Sequence, residues 1–508
     1  MQRRIVFILL LVFLPVLVWG WGNDVVIDIL RRSNNQFPVS YDITWRDSTD
    51  MLAAIGFNSY TASDTSSYIY LYNSNDRGNT WNQVATAQWN GAIISGIQLL
   101  ESPPYLIALW QEQGRRIALT VHNRDNLSYY SSATMTEADS IVDARIVSIQ
   151  RGSTKNIYIG IVTRNTTSNT DILKIYKSVN YSQFQQILAQ YFTNNSNFLF
   201  LKDMDAVLNQ DTIILYLTLE NLNRSNNKAS LSFRIIKEDT SGNLTNTPTG
   251  YPIEYANPLN SSLGVSGPYA LTLLQTDNDL KYVFASNYFA SIGLYTFPYN
   301  TTDSTEWGPF VKGWVTNGNN GFHIIFARGN ITSESKLYYV EATASGNSIQ
   351  FSAPVLVSDE ILVCKDPFRS QSHLYNPRIA TLREEYTPAV IWPQDFWHLV
   401  YATPWYDSTY FAVDRMDAVT IHENVRPSKK LFTLSVKRGN VCLNFDENTP
   451  KVYKGEIMNI EGKIIKAFNV PAGSSKFNVE FSNFRKGAYF ISLEDDNTLL
   501  KVEKFLIW

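Results

Sequence analysis

The sequence is poor in cysteine, histidine, charge of one sign and uninterrupted hydrophobic length, and each scarcity removes a class of protein. Two cysteines in 508 residues, Cys364 and Cys442, cannot supply a disulfide framework. They fall on either side of the domain boundary argued below, so each is expected to be a small buried apolar residue, with a lone inter-domain bridge as the alternative. The five histidines, His122, His323, His373, His398 and His422, are scattered without metal-ligand spacing, and neither a metal nor a cofactor is expected. No G-x-S-x-G elbow, phosphate-cradling loop or nucleophilic cysteine setting occurs. With 43 Lys and Arg against 46 Asp and Glu, the net charge of −3 offers no basic field for nucleic acid. The one long apolar run is Ile5–Trp19. Behind Arg3 and Arg4 and ahead of Gly20 and Gly22, it reads as an export signal over residues 1–22. It is shorter than the roughly 20 residues that span a bilayer. After its removal no transmembrane segment is expected, and the chain should be secreted or held at the outer cell surface.

What is abundant is sheet-forming material. The chain is 44% hydrophobic and 13% aromatic, with 29 Tyr and 27 Phe, a mix that suits pleated, half-buried surfaces. From residue 24 to about 425 short apolar runs alternate with Asn, Ser, Asp and Gly clusters, without helical periodicity. The runs pair every 50 to 60 residues or so: Leu52–Phe57 with Tyr68–Tyr72, Tyr105–Leu109 with Ile117–Val121, Ile157–Val162 with Ile172–Tyr176, and Ile213–Leu219 with Leu231–Ile236. Tyr282–Ala285 with Ile292–Phe297, Phe322–Phe326 with Leu337–Val340, and Ala389–Trp392 with Trp397–Ala402 complete the series, with Asn376–Ala380 as an innermost strand of the last unit. Such self-similarity predicts an all-β propeller of seven blades, with six as the alternative. Ring closure protects sheet edges, and Val25–Leu30 is placed to complete the last blade.

Ser74-Asn75-Asp76-Arg77-Gly78-Asn79-Thr80-Trp81 resembles the Asp-box, S-x-D-x-G-x-T-W, of sialidase-like propellers. The resemblance implies a structural role for Ser74, Asp76, Gly78, Thr80 and Trp81: the carboxylate accepts backbone N–H bonds, glycine takes positive φ, and Trp packs under the turn. Ser178, Asn180, Ser182 and Phe184 echo it one residue short, and Ser345-Gly346-Asn347 leads into a similar outer-strand entry.

After Pro427 the composition turns richer in Lys and Glu. Met458–Ile465, with Gly462 and Lys463, Phe484–Leu493, with Gly487 and Tyr489, and Lys504-Phe505-Leu506-Ile507 are similar to the three motifs of type IX sorting domains. Residues 428–508 are therefore expected to form a small immunoglobulin-like β-sandwich after a propeller over 23–427. Alternation of Tyr489, Ile491 and Leu493 fits one buried sheet face, and Gly462 and Gly487 fit hairpins. The resemblance implies the type IX secretion machinery as a partner.

A sialidase-like activity would need arginines for a substrate carboxylate. Arg46, Arg145, Arg328 and Arg378 lie on or near expected inner strands and are the candidate ligand-pocket residues, yet the F-R-I-P signature of that family is missing. No catalytic residue is assigned. Asp203 with Asp205, and Asp277 with Asp279, read as solvated turn pairs, with Ca²⁺ as the alternative. The reading favours a non-catalytic adhesion or binding protein for an extracellular glycan or surface protein over a diverged glycan-active hydrolase.

Overall fold

The computed structural model describes the chain except residues 1–17, 22–24, 32–35, 61–64, 194–196, 256–259, 330–334, 358–377, 382–387, 401–402, 420–431, 446–448, 460–463, 481–486 and 508, with single residues or pairs in some other turns. Most of the expected export signal, Cys364, His373, His422, Asp277, Gly462 and Lys463 thus lie outside the described residues. Two compact units emerge, one of residues 21–417 and one of residues 418–508 together with 1–20. Among the described residues all regular structure is strand.

Among the described residues the first strands are β1 (Val18–Trp21) and β2 (Val25–Arg31). A first antiparallel sheet holds β3 (Gln36–Trp45), β4 (Met51–Tyr60), β5 (Thr65–Ser74) and β6 (Asn82–Asn90) in sequence order. A second holds β7 (Ile94–Ser102), β8 (Tyr105–Glu112), β9 (Gly114–Asn123), β10 (Tyr129–Arg151), β11 (Thr154–Asn165), β12 (Thr170–Ser178) and β13 (Gln185–Thr193). The third holds β14 (Asn197–Asn209), β15 (Thr212–Asn223), β16 (Lys228–Glu238) and β17 (Leu244–Tyr255). The fourth holds β18 (Ser261–Ser266), β19 (Tyr269–Thr276), β20 (Asp279–Ser286) and β21 (Ser291–Thr296). The fifth holds β22 (Thr305–Thr316), β23 (Asn319–Gly329), β24 (Ser335–Ser345), β25 (Ser348–Phe351) and β26 (Val355–Leu356). In the last, β27 (Arg378–Thr381), β28 (Pro388–Val400) and β29 (Thr403–Val419) are joined by β2, whose Val25–Arg31 pairs with Ser408–Val413. The first strand of the unit thus completes its last sheet.

These sheets make a β-propeller, but not the seven, or six, separate blades expected. Five sheets are of blade size and the other is a continuous ribbon of seven strands. The reason lies in β10: Tyr129–Thr136 pairs with β9, and Ser140–Arg151 pairs with β11. The polar Thr136-Glu137-Ala138-Asp139-Ser140 stretch looks like a turn in sequence, yet Glu137 is buried and held by Lys174 Nζ (2.5 Å) and the Tyr176 hydroxyl, so the strand runs on. A second correction concerns Ala389–Trp392 and Trp397–Val400, which lie along the single strand β28 and pair with β29.

Burial follows position in each sheet. Strands β4, β11 and β15 are covered on both faces by neighbouring sheets and are apolar almost throughout. Outer β6, by contrast, is exposed along most of its length. Packing between sheets is closest where Gly313 on β22 meets β18: a Cβ there would lie 2.0 Å from Val265 O.

In the C-terminal unit β30 (Phe432–Lys437), β31 (Asn440–Phe445), β32 (Tyr453–Asn459), β33 (Ile464–Val470), β34 (Lys476–Glu480), β35 (Gly487–Asp495) and β36 (Thr498–Ile507) form two sheets, β30-β31-β34 and β33-β32-β35-β36. Val441, Leu443 and Val479 of one sheet and Ile457, Tyr489, Ile491 and Leu493 of the other share one core. Cys442 is a free, buried thiol there.

Candidate functional site

Seven strands, β3, β7, β10, β14, β18, β22 and β27, line a central cavity of about 680 Å³. Each contacts the next, and β27 contacts β3, so the wall closes on itself. Neighbouring wall strands belong to different ladders, apart from β7 and β10, which lie apart in one sheet, and their facing amides need other acceptors. Side chains provide them around most of the ring. Ser40 Oγ accepts Ile97 N (3.0 Å), Asp42 Oδ2 accepts Leu99 N (2.7 Å), and Gln98 Oε1 accepts Ile146 N (3.0 Å). Asp143 Oδ2 accepts Leu201 N (3.1 Å), Asp203 Oδ2 accepts Leu263 N (2.8 Å), Asp205 Oδ2 accepts Val265 N (3.0 Å), and Ser262 Oγ accepts Val311 N (3.1 Å). Asp203 and Asp205 are therefore strand residues fastening β14 to β18, and not turn residues. Asp279 begins β20. No group of three or more metal-ligating side chains occurs among the described residues.

The four candidate arginines divide. Arg145 and Arg378 line the cavity; Arg46 and Arg328 do not. Arg145 donates from Nε to Lys202 O (2.9 Å) and from Nη1 to Ala144 O (2.7 Å). Arg378 lies over the Phe310 ring, 5.0 Å from its centroid, without a hydrogen bond or ion pair among the described residues. Arg46 is buried at the end of β3 and pairs with Asp50 (2.6 Å), which folds the turn into β4. Arg328 is committed to Glu306 (2.9 Å), a fully buried carboxylate. The sequence did not single out Lys312, an exposed cation on the cavity wall with no ion pair among the described residues.

Two of the wall carboxylates are perturbed. Asp42 and Asp205 face the cavity yet sit deep in the ring, and burial raises both above the ordinary 3.8. For Asp42, Arg378, the Leu99 and Ile43 amides and Lys312 act against burial; for Asp205, Lys312 and the Ala206 and Val265 amides do so, while Asp203 adds to it. Burial raises Glu341 as well. At Asp47 and Asp76 burial again pushes up, but donors outweigh it and both end below 3.8: Thr49 and the Asp50 amide for Asp47, Thr80 and Ser74 for Asp76. The raised group binds protons more tightly folded than unfolded, so its stabilisation is complete below 3.8 and lost as pH rises through the folded value. The lowered group contributes above 3.8 and loses its contribution as pH falls through its folded values. The thermal midpoint is therefore expected to climb as pH falls through the raised folded values toward about 4 and to drop below that. A midpoint that only decreases over this range in a calorimetric series would contradict the assignment.

Ser74–Trp81 forms the turn between β5 and β6. Asp76 Oδ1 accepts Thr80 N (2.8 Å) and the Ser74 hydroxyl (2.8 Å), and Asp76 Oδ2 accepts the Thr80 hydroxyl (2.7 Å). Gly78 takes φ +90°, and Trp81 Nε1 donates to its carbonyl (3.0 Å). His122 Nδ1 lies 3.1 Å from Leu127 O, and His323 Nδ1 lies 2.6 Å from the Tyr339 hydroxyl, in separate sheets. Of the C-terminal motif residues, Gly487 begins β35 opposite Ile507, Tyr489 is buried, and Lys504 and Phe505 lie on β36 opposite Phe490 and Tyr489.

No curated protein matches the chain. Among solved structures, the GH93 alpha-L-arabinofuranosidase of Fusarium graminearum in complex with arabinobiose is 10% identical, with a TM-score of 0.38 over 77% of this chain and 97% of that one. The Dos1 propeller is 8% identical, with a TM-score of 0.36 over 78% and 95%. The GH32 beta-fructofuranosidase of Bombyx mori is 8% identical, with a TM-score of 0.34 over 64% and 89%. Residues 426–508 match the secretion system C-terminal sorting domain, which marks the chain for export by type IX secretion to the cell surface or extracellular space.

Proposed function

We propose that this chain is an extracellular binding or adhesion protein. In this reading a propeller over residues 23–427, marked by an Asp-box at Ser74–Trp81, holds a glycan or a surface protein at its axial cavity. Residues 428–508 act as an immunoglobulin-like sandwich that addresses the chain, after removal of an N-terminal signal, to the secretion machinery. The observation that carries the binding role is the division of charge in the cavity. Asp42 accepts the Ile43 and Leu99 amides, Asp203 those of Met204 and Leu263, and Asp205 those of Ala206 and Val265. The carboxylates serve the framework, while Arg378 and Lys312 face the cavity without an ion pair among the described residues. A ligand that offers acceptors meets charged donors there.

Screening the mature chain on a glycan array tests this. Arg378→Ala and Lys312→Ala are each expected to weaken the ligand found by roughly 10- to 100-fold, the loss of a charge-assisted hydrogen bond. Binding that is indifferent to both would remove the cavity from the account. A second reading, a glycan-active hydrolase, is favoured by the burial that raises Asp42 and Asp205 toward the range of a general acid. Turnover on a fluorogenic glycoside panel, abolished by Asp42→Asn or Asp205→Asn, would establish it in place of the first.

A further inference from the structure

We propose that Tyr130, backed by Tyr105 and with Tyr129 beside it in sequence, forms a second, peripheral site that binds a neutral oligosaccharide by stacking a pyranose ring on the outward face of Tyr130. The site stands apart from the axial cavity, which none of these residues lines. Tyr105 opens β8, and Tyr129 and Tyr130 open β10. The Tyr105 and Tyr130 rings lie 4.3 Å apart at 31°, and buried Tyr181 meets Tyr105 edge-on at 4.8 Å as a floor beneath them. Tyr129 and Tyr130 are 63% and 53% exposed, among the most exposed large side chains of the unit, on a strand that continues with Ser131, Ser132, Ala133 and Thr134.

Two backbone irregularities converge on this cluster. Tyr129 pairs with His122, Ser131 pairs with Val121, and Tyr130 is the extra residue of the bulge between them. A bulge re-aims a side chain at the cost of a ladder position. Tyr181, with φ +63°, holds a left-handed conformation that a β-carbon disfavours. Such irregularities persist where the surroundings fix them, and here each delivers a tyrosine to one place. The frame is pinned: Arg124 N donates to Pro104 O (2.9 Å), Leu127 N to Asn123 O (2.9 Å), and Arg124 pairs with Glu101 (3.0 Å). A platform that needs no reordering keeps the entropic cost of binding low.

The chemistry selects the occupant. Arg124, the cation beside the platform, is engaged by Glu101 and Asp125, and the Asp125 side chain is 80% exposed. An acidic glycan would meet that carboxylate; a neutral one can donate hydroxyls to it. Two exposed tyrosines, with Tyr105 packed behind one of them, offer at most about 400 Å². That is short of the roughly 800 Å² per partner of a stable protein interface. It suits one or two sugar rings, whose C–H faces stack while their hydroxyls reach the phenols and the rim.

The test is native affinity electrophoresis of the mature chain through gels containing xyloglucan, galactomannan, mixed-linkage β-glucan or glycogen, with polygalacturonate as the acidic comparison. At least one neutral polymer is expected to retard the protein. Tyr130→Ala should weaken the retardation constant about tenfold and Tyr129→Ala by a smaller factor, Tyr130→Phe should retain most of it, and Tyr191→Ala, at an exposed tyrosine on β13 that belongs to neither site, should leave it unchanged. Retardation by no neutral polymer, or only by polygalacturonate, overturns the proposal. So does a Tyr130→Ala variant that melts and migrates like its parent. Loss on Arg378→Ala instead would assign the sugar to the axial cavity.

Discussion

A chain that begins at Ser33 is expected to melt at least about 5 °C lower than one that begins at Asn23, or to aggregate on expression. The segment removed, β2, is the outer strand of the last sheet: its partners Ser408–Val413 lie far away in sequence. Leu30 on it is 2% exposed, and burial of one such side chain is worth about 1.5–3 kcal/mol. Asp28 accepts the Tyr72 hydroxyl at 2.5 Å, so β2 also ties the last sheet to the first. A hydrogen bond to a charged group contributes about 1.5–3 kcal/mol. With the ladder itself, the loss is on the order of 5 kcal/mol, within reach of the whole stability of an ordinary domain. The truncation also bares the β29 edge to pairing with other chains. Adding a synthetic peptide of residues 23–32 in trans should recover part of the midpoint, and Tyr72→Phe alone should cost about 1.5–3 kcal/mol. An unchanged midpoint for the shortened chain would mean that the ring is closed by the β27–β3 contact alone.

The same geometry explains what could be read from sequence. Strands β4, β11 and β15 announce themselves because both faces are buried: Leu52–Phe57, Ile157–Val162 and Ile213–Leu219, apolar but for Gly56, Gly160 and Thr218, lie in them. The cavity wall does not. Its strands alternate core residues with polar ones that serve the next strand, so β14 carries Asp203 and Asp205, which in isolation resemble a turn or a cation pair. A signal was available in retrospect: Ser40-x-Asp42, Asp143, Asp203-x-Asp205 and Ser262 recur at intervals close to the repeat and accept amides from 49 to 60 residues downstream. Which arginine faces the cavity depends on strand register, which sequence alone leaves open. Arg328 and Arg378 have similar strand surroundings, yet one pairs with Glu306 and the other stacks on Phe310. The tyrosine platform depends on a bulge at Tyr130 that has no glycine to mark it. With 29 tyrosines in the chain, composition could not separate the exposed few from those packed between sheets.

Glu238→Ala is expected to destabilise the propeller by about 3–5 kcal/mol, because it strands two cations at a junction between sheets. Glu238 ends β16 and is 3% exposed. Its Oε1 pairs with Lys177 Nζ on β12 (2.5 Å) and Arg151 Nη2 on β10 (3.2 Å), and its Oε2 accepts the Tyr158 hydroxyl on β11 (2.9 Å). One carboxylate thus joins the seven-stranded sheet to the sheet of β14–β17. Burial, and then Glu238 itself, raise the Tyr158 phenol well above its usual range, so the phenol remains a donor at any pH the fold survives. Removing the carboxylate leaves Lys177 and Arg151 near each other with backbone carbonyls as acceptors: Arg151 Nη1 retains Asp239 O at 2.9 Å, while Lys177 loses the one carboxylate with which it pairs among the described residues. Glu238→Gln keeps an acceptor for Tyr158 without the charge and should fall between the parent and the alanine variant. A midpoint lowered by about 4–6 °C for the alanine variant, with early proteolytic cutting between β13 and β14, is the expected pattern. A loss below about 1 kcal/mol would show that water and the remaining carbonyls replace the carboxylate, and that apolar packing of Val147, Leu201 and Met204 holds the two sheets together without it.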